Sequence, residues 1–475
     1  MAQDIAGYDM VLAITQAALN TQFQRAFPTG AGLPPWNATL DDEDGASVWN
    51  VAFGTPGIDL STPLARGAAI VLPITSGAYT YRQIKLVSGK PVAVAVTRDL
   101  AGTTIRVTAP LVSCQDASGR SDGCARYRIS INLTDPNLDT IFSIGLPGQA
   151  LVSLTTLFRT YLNQLQQWNN AIFQVGAVSV PSGLAAAGPL APQAFDFSVN
   201  SQATNPNNNT LNILLLVDSA QLPDGATVGL LPNNLAPPGS DALFLLSDYQ
   251  LLKKFVLPGI IAGIQQRDAG SAFSLDWFGF TRSPARASLT GKIGYRGGWF
   301  SKFDVSIAHG EVALDIEYRK EKKVIFDAVT GIGVVSAYLS IYANGGRLAA
   351  RPSWTRPQVC CAGSPVVWRV FQDIFTRGFA EISERVGNEA VASAAGSLLD
   401  AGGLATALDN AVRLIELPAP ARPAYTAAAL PDHLAVAVTL DAPDPARAGD
   451  TAATMQPARY ALSSLAAEPV GTPVD

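Results

Sequence analysis

Apolar residues along this chain keep three rhythms in turn, and the changes of rhythm divide it. Near the N-terminus Met10, Val11, Leu12, Ala13 and Ile14 form a short unbroken run. Thr15 then introduces a helical spacing carried by Ala18, Leu19, Gln22 and Phe23, which Pro28 ends. This reads as a strand turning directly into a helix, with a threonine oxygen placed to accept from an orphan amide at the helix start. The same grammar recurs in DALFLLSDYQLLKKFVLPGII, from Asp241 to Ile261. There Ala242 to Leu246 form the apolar run, Ser247 and Asp248 open a helix, and Tyr249, Leu252, Phe255 and Val256 share a face until Pro258 and Gly259 are expected to stop it. Superposing Thr15 on Ser247, an offset of 247 − 15 = 232, also pairs Leu19 with Leu251 and Phe23 with Phe255. The chain is therefore predicted to be two half-copies, residues 1–240 and 241–441, followed by a Pro- and Ala-rich tail, 442–475.

Between the two helix starts the rhythm is alternation broken by short turns. Strands are predicted at Val48–Phe53, Gly67–Ile74, Ala78–Val87, Val92–Val96, Thr103–Val112 and Arg126–Leu133, an antiparallel meander because the turns are short. At Leu151 the period lengthens: Leu151, Leu154, Leu157, Phe158, Tyr161, Leu162 and Leu165 mark one wide apolar face of a helix reaching Gln167. Strands follow at Ala171–Val180, Phe195–Val199 and Leu211–Val217. The second half repeats the theme with strands at Phe273–Phe280, Ala287–Tyr295, Phe303–Ala308, Val312–Tyr318, Val324–Val329 and Val334–Tyr342, and His309 with Gly310 in a hairpin turn. A long helix is predicted over Val366–Leu399, with Val370, Ile374, Phe375, Phe379, Ile382 and Val386 along one face, then helix or strand over Leu404–Leu417 and a closing strand at His433–Leu440. The fold class is α+β. A long helix with a wide apolar face needs a strongly curved sheet to cover it, and a curved antiparallel sheet around a helix makes an elongated tube.

Composition narrows the function. Hydrophobic residues make up 48% of the 475 and charged residues only 15%. Either much apolar side-chain area faces an interior cavity, or some faces a partner or lipid. The net charge of −5 comes from 33 Lys plus Arg against 38 Asp plus Glu, with no basic stripe interleaved with aromatics, so no nucleic-acid partner is expected. No charged segment leads into an apolar one at the N-terminus, which predicts no signal peptide and leaves a cytoplasmic location or release by a non-standard route. The weakly charged run Val324–Ala343 is broken by Gly331 and Gly333, so no transmembrane segment is predicted.

Candidate chemistry is sparse. Cys114 and Cys124 bracket a Gly-, Ser- and Asp-rich tip and are either a hairpin cross-link or two loop thiols; Cys360 and Cys361 read as unrelated neighbours. With His309 and His433 as the only histidines there is no zinc-like spacing, and Asp41, Asp42, Glu43 and Asp44 lack the pattern of a calcium loop. Gly331, Gly333 and Ser336 are a fragment of a dinucleotide-binding pattern without the helix it needs, and with no signal peptide predicted the sequons at Asn37, Asn132 and Asn208 are not expected to be glycosylated. No phosphate loop, zinc-protease motif, nucleophile elbow or carboxylate pair stands out, so neither enzyme activity nor a cofactor is expected.

Three stretches resemble one family. The passage from Pro223 to Ile260, the opening GYDMVLAITQAALNTQF (Gly7 to Phe23) and LTTLFRTYLNQLQQWNNAIFQVGAVSV (Leu154 to Val180) are similar to the clostridial forty-seven-kilodalton proteins encoded beside botulinum neurotoxin genes. Together with their OrfX relatives these belong to the tubular lipid-binding (TULIP) superfamily. The resemblance implies long helices wrapped in highly curved antiparallel sheets in two domains, lipid or another apolar small molecule as ligand, and a toxin or accessory protein as partner. It implies no catalytic residues. The ligand-binding candidates are then the apolar helix faces: Leu154, Leu157, Phe158, Tyr161 and Leu165 in the first half, and Phe371, Ile374, Phe375 and Phe379 in the second. The competing reading is that these side chains fill the core, as in a structural or chaperone-like component of a toxin complex.

Overall fold

The computed structural model describes residues 5–28, 33–40, 45–64, 66–115, 124–132, 138–167, 174–181, 188–201, 204–219, 221, 231, 235–236, 239–267, 273–295, 297–324, 327–354, 358–362, 392–396, 403–419, 421, 423–431 and 433–440. The chain opens with β1 (Met10–Thr15) running straight into α1 (Gln16–Ala26). A meander follows: β2 (Trp36–Thr39), β3 (Ser47–Phe53), β4 (Gly57–Asp59), β5 (Gly67–Val87), β6 (Lys90–Asp99), β7 (Thr104–Gln115), β8 (Cys124–Ile131) and β9 (Asp139–Phe142). After α2 (Gly148–Gln167) come β10 (Gln174–Pro181), β11 (Ala194–Asn200) and β12 (Thr210–Leu216). The second half starts with β13 (Ala242–Leu246), α3 (Asp248–Leu251) and α4 (Leu257–Arg267). Its meander is β14 (Phe278–Arg282), β15 (Ala285–Leu289), β16 (Ile293–Tyr295), β17 (Gly298–Ala308), β18 (Glu311–Val324), β19 (Asp327–Asn344), β20 (Arg347–Trp354) and β21 (Gln358–Ala362). The described chain closes with α5 (Leu404–Arg413), β22 (Ile415–Glu416), β23 (Pro423–Ala429) and β24 (Leu434–Leu440).

These strands form three large antiparallel sheets, so the molecule is a sheet-rich α+β protein. The two opening strands meet: β1 pairs with β13 in the middle of a six-stranded sheet ordered β11-β12-β1-β13-β24-β23. Leu12 stands opposite Ile213 on one side and Phe244 on the other. Side chains alternate across a strand. Met10, Leu12, Ile14, Phe244 and Val436 therefore face the main core, while Val11, Ala13, Leu214, Leu245 and Ala437 face a second cluster completed by Ile5, Tyr8, Leu231 and Leu235. Burial on both faces is why these strands read as unbroken apolar runs rather than as alternation. The other sheets have ten and eight strands, and the ten-stranded one also draws on both halves, with Val178 of β10 opposite Ile415 of β22. Across that join Arg126 and Glu416 form an ion pair at 2.7 Å.

The helix starts behave as the sequence predicts. Thr15 accepts from the Ala18 amide and Ser247 from the Gln250 amide, each at 3.2 Å. The predicted stop at Pro258 and Gly259 does not occur, because the helix continues to Arg267. Leu252–Val256 is a π turn in which the Leu257 N–H bonds to the Leu252 carbonyl, five residues back. Widening the turn keeps the Pro258 ring clear of the carbonyl four residues earlier, the clash that ordinarily ends an α-helix.

Several predicted strands merge or move. Gly67–Ile74 and Ala78–Val87 are one 21-residue strand, β5. Gly77, at φ 127, passes so close to Val51 that a Cβ there would lie 2.6 Å from the Val51 Cα. The strand runs on through this glycine instead of reversing. The predicted strand Val324–Val329 is instead split: Val324 ends β18, and the chain from Asp327 onward belongs to the 18-residue β19, which also takes in Val334–Tyr342. Phe273–Phe280 is a strand only from Phe278, because Ser274 caps a 3-10 turn at Leu275–Trp277. His309 (φ 54) and Gly310 (φ 82) make the predicted turn between β17 and β18. The β7–β8 register sets Cys114 opposite Arg128, and Cys114 is a free thiol, so no bridge joins it to Cys124. The helix predicted over Val366–Leu399 lies outside the described residues except for 392–396, which are helical.

Candidate functional site

The apolar face predicted on the first long helix exists. Gly148 starts α2, and Leu154, Leu157, Phe158, Tyr161 and Leu165 are all buried on one side of it. Leu151, predicted on the same face, is 36% exposed, although Ala150 beside it in the first turn is buried. The helix packs against β2, β3 and β5. Phe158 meets Trp36 and Phe142 with ring centroids 5.2 and 5.8 Å away, both edge-on. Tyr161 stacks on Phe53 at 5.7 Å, and its hydroxyl donates to the Pro34 carbonyl at 2.7 Å. Burial pushes the Tyr161 phenol above its usual pKa, so the group stays a neutral donor. The second set, Phe371, Ile374, Phe375 and Phe379, lies outside the described residues.

Phe53 ends a predicted strand, whereas Trp36 and Phe142 are the partners that periodicity misses. Trp36 sits in a Pro-, Gly- and acid-rich passage that reads as loop, yet it is fully buried on β2. A tryptophan in such a passage is itself the available signal, since so large an apolar ring is seldom left in water.

A second feature lies beside the starts of β1 and α3. A cleft of about 520 Å³ is lined by Tyr8, Asp9, Tyr249, Arg282, Pro284 and His433, among others. The Arg282 guanidinium lies over the Tyr249 ring at 4.6 Å and 3.9 Å from the Asp9 carboxylate. Asp9 is 1% exposed, and its Oδ2 accepts from the amides of Val217 and Asp218 at 2.8 and 3.4 Å. On the other wall the Asp248 carboxylate accepts from the Tyr249 amide at 2.7 Å, and the Asp248 amide faces Nδ1 of His433 at 3.4 Å. Both carboxylates are engaged in holding backbone. Beside the cleft Asp218 takes Lys253 and Lys254, each at 2.7 Å. Burial alone would raise its carboxyl, but hydrogen bonds from Lys253, Lys254 and Gln250 hold it at about 2. Among the described residues no group of His, Cys, Asp and Glu converges as a metal site, and no helix is long and apolar enough to cross a membrane.

No family model and no curated protein matches this sequence. Solved structures do. P47 of Clostridium botulinum E1 superposes with a TM-score of 0.64 at 13% identity, covering 92% of this chain and 99% of that one. P47 from Clostridium botulinum A2 gives 0.61 at 13% identity over 92% and 98%. A lipopolysaccharide binding protein aligns over 91% and 99% at 14% identity, but its TM-score is 0.31. The fold is thus that of the P47 proteins along nearly the whole of both chains.

Proposed function

We propose that this chain is a non-enzymatic binder of lipid or another apolar small molecule, built as a two-domain TULIP tube divided near residue 240, and that it acts as an accessory protein to a toxin. Kinship with the OrfX proteins is part of the same reading. The observation that carries it is the α2 face: five apolar side chains enclosed by β2, β3 and β5. Such a surface recognises hydrocarbon without a charged contact, since each buried methylene contributes about 0.8 kcal/mol. Likeness to P47 over 92% of the chain supports the tubular fold and leaves the ligand to the α2 argument. The test is organic extraction and native mass spectrometry of the purified protein, with titration of a fluorescent fatty acid. Lipid recovered near one per chain, displaced by the probe, is the expected result; no extractable lipid together with no probe binding overturns it.

A second reading is a structural or chaperone-like component of a toxin complex with a filled interior. It is favoured by the ring-on-ring contacts of Phe158 and Tyr161 with Trp36 at 5.2 and 5.9 Å, which occupy the space beside the helix. Under this reading extraction yields nothing and the protein co-elutes with its partner proteins.

A further inference from the structure

The two most exposed large apolar side chains among the described residues, Leu86 and Ile84, lie together with two exposed valines. Ile84 is 74% exposed, Leu86 76%, Val87 52% and Val92 42%, all at the tip of the β5–β6 hairpin. Every residue from 84 to 93 is exposed. β6 pairs with β5 alone, and β5 leaves its other neighbour, β3, at Thr80. What projects beyond Tyr81 is a two-stranded ribbon, with Ile84 to Val87 reaching roughly 10 Å along it. Its root is fixed: Tyr79 stacks on Tyr81 at 5.3 Å and donates to the Ala150 carbonyl of α2 at 2.7 Å.

The register separates two faces. Ile84 stands opposite Ala93 and Leu86 opposite Pro91, so one face is wholly apolar at the tip. Lys85 stands opposite Val92 and Val87 opposite Lys90, so both tip lysines lie on the other face. From Tyr79 to Arg98 the ribbon carries Arg82, Lys85, Lys90 and Arg98 and no carboxylate, on a chain whose net charge is −5. A lysine on an edge strand ordinarily blocks edge-to-edge pairing. That role does not call for isoleucine and leucine three-quarters exposed on the opposite face, and a two-stranded ribbon alone in water is only marginally stable.

We propose that this hairpin tip docks the protein on an anionic membrane surface. Ile84, Leu86 and Pro91 enter the boundary between headgroups and acyl chains, while Lys85 and Lys90 snorkel to lipid phosphates on the side away from the hydrocarbon. Charge selects this occupant over a zwitterionic surface, and apolar burial holds it. The inference is independent of a ligand inside the fold, since a filled tube would dock equally well.

The test is co-sedimentation of the full chain with vesicles of phosphatidylcholine alone and of phosphatidylcholine mixed with phosphatidylglycerol. The chain partitions onto the mixed vesicles; Ile84→Ser with Leu86→Ser, and separately Lys85→Gln with Lys90→Gln, each reduce partitioning at least about tenfold. The thermal midpoint of both variants stays that of the parent, because the altered side chains are exposed. Equal binding to both vesicle types overturns the proposal, as does binding unchanged by either double variant. A parent that stays off vesicles and self-associates through the tip, losing that association in the serine variant, overturns it in favour of a second copy. Extraction of lipid from the serine variant at the parent's level leaves the interior-ligand reading intact whatever the vesicles report.

Discussion

Asp9 and Asp241, at equivalent places in the two halves, make the same bonds. The Asp9 carbonyl accepts from the amide of Ser247 and the Asp241 carbonyl from that of Thr15, both at 2.9 Å. Each carbonyl thus holds the helix-capping residue of the opposite half. The Asp9 carboxylate accepts from the Val217 amide just past β12, and the Asp241 carboxylate from the Leu440 amide at the end of β24, both at 2.8 Å. Two residues before each lies a glycine in the left-handed region, Gly7 at φ 81 and Gly239 at φ 84. The repeat therefore extends beyond strand and helix to a Gly-x-Asp bracket that ties β1 and β13 together about an approximate two-fold.

Removing either carboxylate should loosen that bracket unequally. Asp9→Ala strands the Val217 amide in a site 1% exposed and is expected to cost about 2–3 kcal/mol. Asp241 is partly exposed, so water can replace its oxygen and Asp241→Ala is expected to cost about 1 kcal/mol. Urea denaturation of the two variants measures the difference, and equal effects would contradict the assignment.

The passage of β5 against Val51 rests on Gly77. Gly77→Ala places a methyl 2.6 Å from Val51 backbone at φ 127, and a loss above about 2 kcal/mol is expected. Gly89→Ala, at φ 78 with nothing within 4 Å, is expected to cost only about 1 kcal/mol. Thermal unfolding of the pair separates steric contact from backbone strain.

Acid stability should depend on Asp218. Its folded pKa, about 2, lies below its ordinary 3.8. Protonation therefore favours the unfolded chain, and the contribution is full above about pH 4 and lost as the pH falls toward about 2. Asp218→Asn is expected to flatten the dependence of the melting temperature on pH across that window. With screening by solvent the difference between the ends is about 1 kcal/mol.

Inside the first half, Phe158→Ala removes the ring between Trp36 and Phe142 and is expected to cost about 3–5 kcal/mol by leaving a cavity. Tyr161→Phe loses only the bond to the Pro34 carbonyl, about 1 kcal/mol. If a ligand occupies this face, Phe158→Ala also changes the affinity for a fatty-acid probe, which calorimetry reads alongside stability.

Local chemistry by itself determined the parts. Thr15 and Ser247 as caps, the repeat of the strand-to-helix unit, the buried face of α2 and the His309–Gly310 turn are each written within a few neighbouring residues, where the periods of strand and helix and the needs of a cap or turn decide the outcome. Only the tertiary structure decided how the parts join. Any apolar strand offers much the same edge as another, so the sequence does not record that Leu12 pairs with Phe244 or Val178 with Ile415. The misread signals have the same origin. Pro258 and Gly77 are breakers by local rule, but a π turn accommodates the one and the approach of Val51 uses the other. Trp36 is core only because α2, far along the chain, arrives to cover it. Long-range packing chooses among local possibilities, and its free energy comes from apolar surface that leaves water only when segments distant in the chain meet.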